Sequence, residues 1–423
     1  MTITPKEKDL LRELAKQYAE LSALPQQQER YQRGRDINDL KPSRPMVWLD
    51  EIPWHEMNID NKLTLVCEND FARGMEQFFR RTLYRWEYIQ GDMVVENKYA
   101  VLKHFTSTGM GVKVREHLLS TDDHNHIISH SYLDQLDTME KVEAMHMPVL
   151  TAHPEVDKQN IDRANDILDG VLPVRLQGHN FGHSPWDRIP RYRGVTTVLE
   201  DLAYEPDYTH AIIKKFTDAA RATMTQMEAL GLFDSNISAL HCTPPYVSDF
   251  GDDSNIGPLN PPFQVNSEPA AMKNCWYRGM AQLFTDVSPK MFKDFELDYI
   301  LPLMAEFGLV YYGCCEALES KIELLKTIPN LRKIGVSPWA NAERCAEQIR
   351  GSYVFAHKPN PAHVSGTFDE GATRKEIAHI IEVCQKYGCP FEFVIKDIST
   401  VTYKPQNLID WARTVKDVID GYY

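Results

Sequence analysis

The stretch Ser288–Glu316, SPKMFKDFELDYILPLMAEFGLVYYGCCE, decides the fold. Ser288 and Pro289 suit an N-cap and first helical turn, Phe292, Phe295, Tyr299 and Leu303 recur at helical spacing, and Gly308 suits the exit. Pro302 is expected to kink this helix. Leu309–Gly313 then reads as a short apolar strand whose end carries Cys314, Cys315 and Glu316. A helix that closes on glycine and gives way to an apolar strand is one unit of a repeated strand–helix chain.

The pattern extends in both directions. Leu318, Ile322 and Leu325 mark a further helical face, as do Ile377, Ile380, Ile381 and Cys384 before Gly388. Candidate strands fall at Met147–Thr151, Val171–Gln177, Ile237–Cys242, Met280–Thr285, Leu309–Gly313, Lys333–Ser337, Tyr353–His357 and Phe391–Asp397. That is eight, the number a closed parallel barrel requires, so the expected fold is α/β, a (β/α)8 TIM barrel over 141–423. Residues 1–140 read as an N-terminal helical extension and cap. There Leu10, Leu11, Leu14, Tyr18 and Leu21 follow the capping residues Thr4 and Pro5, and Phe71–Trp86 reads as an aromatic, arginine-rich helix. Between Thr243 and Lys273, six prolines and few periodic apolar residues predict a long loop.

The 423 residues suit one barrel plus an extension, and 43% hydrophobic with 25% charged residues suits a packed globular protein. A net charge of -14 argues against nucleic acid as a partner. A polar start and the lack of a run of about 18 apolar residues predict a cytoplasmic protein with no membrane span. Eight cysteines are too sparse for a disulfide scaffold and are expected to be thiols.

In a parallel barrel the chemistry sits at the C-terminal ends of the strands. These ends supply Arg175 and His179; His241 and Cys242; Tyr312, Cys314, Cys315 and Glu316; His357, Lys358 and Asn360; and Lys396 and Asp397. A free cysteine is either a small buried hydrophobe or, as thiolate, a nucleophile or metal ligand. His241 beside Cys242 reads as a ligand pair or as one buried residue and one loop cap. Lys396–Asp397 ends the last strand, where a buried ion pair points to a site. Lys358 and Asn360 lie in a proline-flanked turn able to hold an anionic or polar substrate, or in an ordinary solvated turn. Arg73, Arg80, Arg81 and Arg85 share a helical spacing and form either a carboxylate-gripping row or a solvated face.

These residues resemble the uroporphyrinogen decarboxylase superfamily, which contains tetrapyrrole decarboxylases and zinc-dependent, corrinoid-linked methyltransferases on one barrel. The resemblance spans Pro173 to the C-terminus and is clearest in VSPKMFKDF at 287–295, Gly308–Glu316, Ile334–Ser337 and Lys358–Pro361. Leu199–Pro206 looks like the helix after the family's second strand. In the methyltransferase branch a His-x-Cys motif and a second Cys hold zinc. By position Tyr312 stands where that His would be, Cys314 matches the first Cys, and Asp397 stands where the second Cys would be, so one ligand of three is kept. Arg44-Pro-Met-Val-Trp48 is similar to the start of the decarboxylase branch, but the acidic Asp50–Glu51 stretch that follows lacks its arginines.

The resemblance implies a methyltransferase-like enzyme acting on a small molecule, with a corrinoid protein as possible methyl partner and a homodimeric state common in the superfamily. Cys314 and Asp397, with Cys315, would hold zinc or form the reactive centre, with Tyr312, Glu316 and Lys396 as catalytic neighbours. Arg175, His179, His241, His357, Lys358 and Asn360 would face the substrate. The alternatives are a metal-independent decarboxylase of a carboxylated, tetrapyrrole-like substrate using Arg175, Lys396 and Asp397, and a non-catalytic corrinoid or small-acid binding protein.

Overall fold

The computed structural model describes residues 2–89, 91–120, 128–235, 240–250 and 269–423. Seven strands form one parallel sheet: β1 Met46–Leu49, β2 Phe181–Gly182, β3 Trp276–Gly279, β4 Leu309–Tyr312, β5 Leu331–Val336, β6 Val354–His357 and β7 Phe391–Ile395. Their order is β1-β7-β6-β5-β4-β3-β2, so the first strand lies beside the last. That order is compatible with a TIM-like fold, although the described residues do not carry one ladder around a full ring. Tyr99–Leu102 pairs in parallel with Val174–Gln177 as a separate ladder. On the other edge of β1, the Asp92 N–H donates to the Val47 carbonyl at 2.7 Å.

Both faces of the strands are covered, as parallel sheets require; the outer one is apolar, and the inner one also carries Arg278, Lys333 and Glu392. On the outer face Val310, Tyr312, Ile334, Val336, Phe355, Phe393 and Ile395 join one large core cluster. The helices complete it. An amphipathic α1, Pro5–Ser22, is capped by Thr4 and Glu7 and buries Leu11, Leu14 and Tyr18 against α2, Asp70–Tyr88, and α3, Pro154–Leu168. Helix α4, Pro206–Ala229, with α5, Glu370–Tyr387, and α6, Gln406–Asp420, covers the sheet with Phe216, Ile381 and Trp411. Each such side chain contributes about 1.5–3 kcal/mol on full burial. The inner face holds Trp276, Leu309, Tyr311 and Ala356 in one small cluster and Met46, Trp48, Val354 and Val394 in another.

Several expectations are corrected. Met147–Thr151 is not a sheet strand: Leu150–Ala152 pairs antiparallel with Phe105–Ser107. Met280–Thr285 contains a 3-10 turn at Gln282–Phe284, and the strand lies just before it, at β3. Residues 237–239 of the Ile237–Cys242 candidate lie outside the described residues, and His241 and Cys242 occupy a tight turn. Met46–Leu49, inside the stretch expected to be extension, is a full member of the main sheet. The helix after Ser288 departs from α geometry at a π turn, Lys293–Leu297, upstream of Pro302. The four arginines of α2 serve structure: Arg80 pairs with Glu76 at 2.7 Å, Arg85 donates to the Leu49 carbonyl, Arg73 donates to the Cys67 carbonyl, and Arg81 lies over Trp54.

Candidate functional site

The centre lies at the C-terminal ends of the strands, where β4 turns. Gly313 has φ +98, and a Cβ there would come within 2.6 Å of Leu318; a Cβ on Gly335 of β5 would come within 2.6 Å of the Gly313 backbone. Two glycines are thus needed for the strands to touch at this level, and the turn they permit aims Cys314 inward. Glu316 secures it. Its carboxylate accepts from the Cys314 N–H at 2.8 Å and from the Ala281 N–H at 3.0 Å, tying the turns after β4 and β3 together.

Around the buried Cys314 Sγ stand Lys396 Nζ at 3.2 Å, His241 Nε2 at 3.3 Å and Cys315 Sγ at 3.5 Å. Cys315 Sγ lies 2.9 Å from Asp397 Oδ2, and Lys396 Nζ is 3.0 Å from that oxygen and 3.3 Å from Glu51. Asp397 also donates its backbone N–H to Glu51 at 3.0 Å. Glu51, His241, Cys242 and Asp397 all have φ between +42 and +66. Left-handed backbone at non-glycine residues costs on the order of 1–3 kcal/mol each and clusters at functional sites. The His241–Cys242 turn is closed by reciprocal backbone bonds between Leu240 and Thr243, at 2.8 and 3.2 Å, and this presents the imidazole to Cys314.

The charges are divided unevenly. A hydrogen bond from the Cys315 thiol, with Lys396, Lys358 and Arg278 nearby, overcomes burial and brings the Cys314 pKa down to about 6. The Cys315 pKa is raised by the same hydrogen bond and by burial. One proton therefore stays on the pair, with Cys314 as thiolate. Burial, then Arg278, Lys396 and Lys358, lowers the His241 pKa, so its imidazole is neutral. Burial opposes ionisation of Asp397, but Lys396 prevails and its pKa is lowered. Burial likewise opposes the Lys396 ammonium, which Cys314, Glu51 and Asp397 more than restore.

The donor set can hold a metal. Ligand atoms of Cys314, Cys315 and Asp397 lie within 4.8 Å of one another, with the neutral His241 imidazole alongside. Two sulfurs, a carboxylate and an imidazole suit a thiophilic ion such as zinc. Lys396 already places an ammonium against both Cys314 and Asp397, so a metal requires that side chain to swing aside.

Of the residues expected at a site, the structure brings together Cys314, Cys315, His241, Lys396 and Asp397, with Lys358 acting electrostatically on Cys314 and Glu316 fastening the turn. The others go elsewhere. Tyr312 points to the outer face, where its hydroxyl donates to Glu296 at 3.3 Å and its ring meets Phe292. His357 is also outward, 3.1 Å from Glu376. Asn360 shapes its turn by accepting from the Ala362 N–H at 3.0 Å. Arg175 is paired with Asp234 at 3.1 Å, away from Lys396 and Asp397. His179 bonds the Lys103 carbonyl at 2.7 Å and lines a separate cavity of about 410 Å3 beside α4.

Sequence reasoning missed Glu51, Asp187 and Arg278. Burial, then Glu316, pushes the Asp187 carboxyl up to about 7, against the pull of Arg278. Arg278 is the third residue of β3, and a strand placed at Met280–Thr285 leaves it out of view. A cation flanked by Trp276, Tyr277 and Gly279 was the available signal.

No protein-family profile matches the chain, and no curated protein matches it. Among solved structures it is similar to a methyltransferase from Methanosarcina mazei, with 9% identity and a TM-score of 0.48 over 93% of this chain and 99% of that one. A likeness of that degree assigns neither an activity nor a ligand. No helix among the described residues is long and apolar enough to cross a membrane.

Proposed function

We propose that the chain is a methyltransferase-like enzyme whose reactive centre is the Cys314 thiolate with Asp397. The observation that carries this is the buried Cys314 sulfur with Lys396, His241 and Cys315 all within 3.5 Å. Such an environment creates a thiolate at neutral pH, and a thiolate is what accepts an alkyl group or ligates a metal. Lys396 holds the charge on Cys314 and Asp397, His241 stays neutral and so free to ligate, and Asp187 can hold or release a proton near neutrality. Cys314, Cys315 and Asp397, with His241, would hold zinc, which when bound keeps a substrate thiol deprotonated. The methyl partner, on the sequence resemblance, is a corrinoid protein. We take Val174–Gln177 to continue into β2 as one interrupted strand, so that Tyr99–Leu102 supplies the eighth strand of a TIM barrel around this centre.

Metal analysis of purified protein, beside Cys314→Ser and Asp397→Ala, tests the centre. Stoichiometric zinc lost in both variants supports the metal-holding form, whereas stoichiometric metal unchanged in both removes the proposed centre. A second reading is favoured by the position of Lys396: the ammonium itself neutralises Cys314 and Asp397, and the enzyme works without metal. Absence of metal with Cys314 still alkylated rapidly at pH 7 selects that reading.

A further inference from the structure

Three cations surround the ring of Tyr311 on the inner face. The Arg278 guanidinium carbon, Lys333 Nζ and Lys358 Nζ lie 5.8, 5.7 and 5.4 Å from its centroid. Lys333 is satisfied, with Glu392 at 2.8 Å and Thr243 at 2.6 Å. The other two are not. Arg278 is 7% exposed, and among the described residues its Nε and Nη2 are buried without a hydrogen bond; Lys358 is 2% exposed, and its Nζ is likewise without one among them.

Among the described residues no carboxylate hydrogen-bonds these unpartnered atoms, although Glu392 attracts Lys358 through space. Glu392 is bonded to Lys333, both Glu316 oxygens are taken by backbone N–H groups, and Asp187 is pushed toward its neutral form by burial. A buried charge without a partner costs several kcal/mol, and native structures avoid it unless a ligand supplies the missing partner. A guanidinium beside an ammonium is a donor set for a planar or tetrahedral oxyanion. Cys314 is the leading attractive charge on Lys358, so an acidic group seated here would stand next to the thiolate.

We propose that Arg278 and Lys358, astride Tyr311, form an oxyanion subsite, and that the substrate of the Cys314 centre carries a carboxylate, sulfonate or phosphate held there. This inference rests on the reading of Cys314 as the reactive centre for its placement, but its binding test does not. In Cys314→Ser protein, melting temperature and calorimetry are followed with acetate, methanesulfonate or inorganic phosphate, and with acetamide as the uncharged control. At least one oxyanion should bind saturably and raise the melting temperature while acetamide does not, and the preferred one identifies the acidic group. Arg278→Gln and Lys358→Met should each weaken that binding at least about tenfold, with Arg278→Lys intermediate. Lys358→Met should also melt no lower than its parent without probe, which a merely structural lysine would not allow. Binding of none of the three oxyanions, or binding undiminished in both variants, overturns the subsite. Failure of wild-type Cys314 to react with iodoacetamide at pH 7 would instead sink the thiolate reading and leave the binding result standing.

Discussion

Lys333 and Lys358 approach the same tyrosine ring from adjacent strands, at 5.7 and 5.4 Å, yet their surroundings differ completely. Lys333 has Glu392 and Thr243 within 2.8 Å; Lys358 has no hydrogen-bond partner among the described residues. The first forms a directly bonded ion pair within the sheet interior. The second, beside Arg278, makes no hydrogen bond among the described residues and meets attractive charge only through space, from Cys314 first. Two lysines of similar burial thus separate into one that belongs to the architecture and one available to a ligand, and the difference is the counter-charge.

The comparison can be broken or sharpened by measurement. The largest effect is expected from Glu392→Ala, which leaves Lys333 charged, buried and alone; urea unfolding should show a loss of about 3–5 kcal/mol. A loss below about 1 kcal/mol would mean that Lys333 is no more structural than Lys358. Next, Lys358→Met in Cys314→Ser protein removes a buried ammonium that makes no hydrogen bond among the described residues, and the same assay should show a gain of about 0.5–2 kcal/mol.

The rate of Cys314 alkylation by iodoacetamide should follow a titration near pH 6, level above about pH 7 and falling roughly tenfold per unit below the midpoint. Because the folded thiol pKa lies below its ordinary value of about 8.5, this group adds stability as pH rises from about 6, in full above the unfolded value, and loses it as pH falls through 6. Lys396→Met should move the midpoint up toward the ordinary thiol value; an unmoved midpoint would detach Lys396 from the thiolate. At the small end stands the exposed Lys158–Asp162 pair, 2.5 Å apart on α3, where Lys158→Ala should change stability by no more than about 0.5 kcal/mol.

The legible parts of the sequence were those with clean punctuation. After Ser288, caps and glycines separate apolar runs long enough to distinguish strand from helix, and β4 to β7 fall where expected to within two residues. β1 was hidden because four apolar residues directly after Pro45 carry no periodicity, and β2, two residues long, carries none at all. β3 was displaced because the apolar residues of 280–285 look as strand-like as 276–279 themselves.

Strand-end logic named Cys314, Lys396 and Asp397, and the structure brings these three together around the Lys396 ammonium. Alternation along β4 places Tyr311 on the inner face and Tyr312 on the outer one, away from the Cys314 cluster. Glu51 was not recoverable, since its role depends on a turn after an unrecognised strand reaching the last one.

The bond from the Asp397 backbone to Glu51 spans 346 residues, and that from Lys396 to Cys314 spans 82. During translation at about 5–20 residues per second, Cys314 therefore emerges roughly 4–16 s before the lysine that acidifies it. Until then its thiol has ordinary acidity and low reactivity. A product truncated before Lys396 would carry the cysteine without that ammonium, so the candidate centre is assembled only once synthesis has passed Asp397.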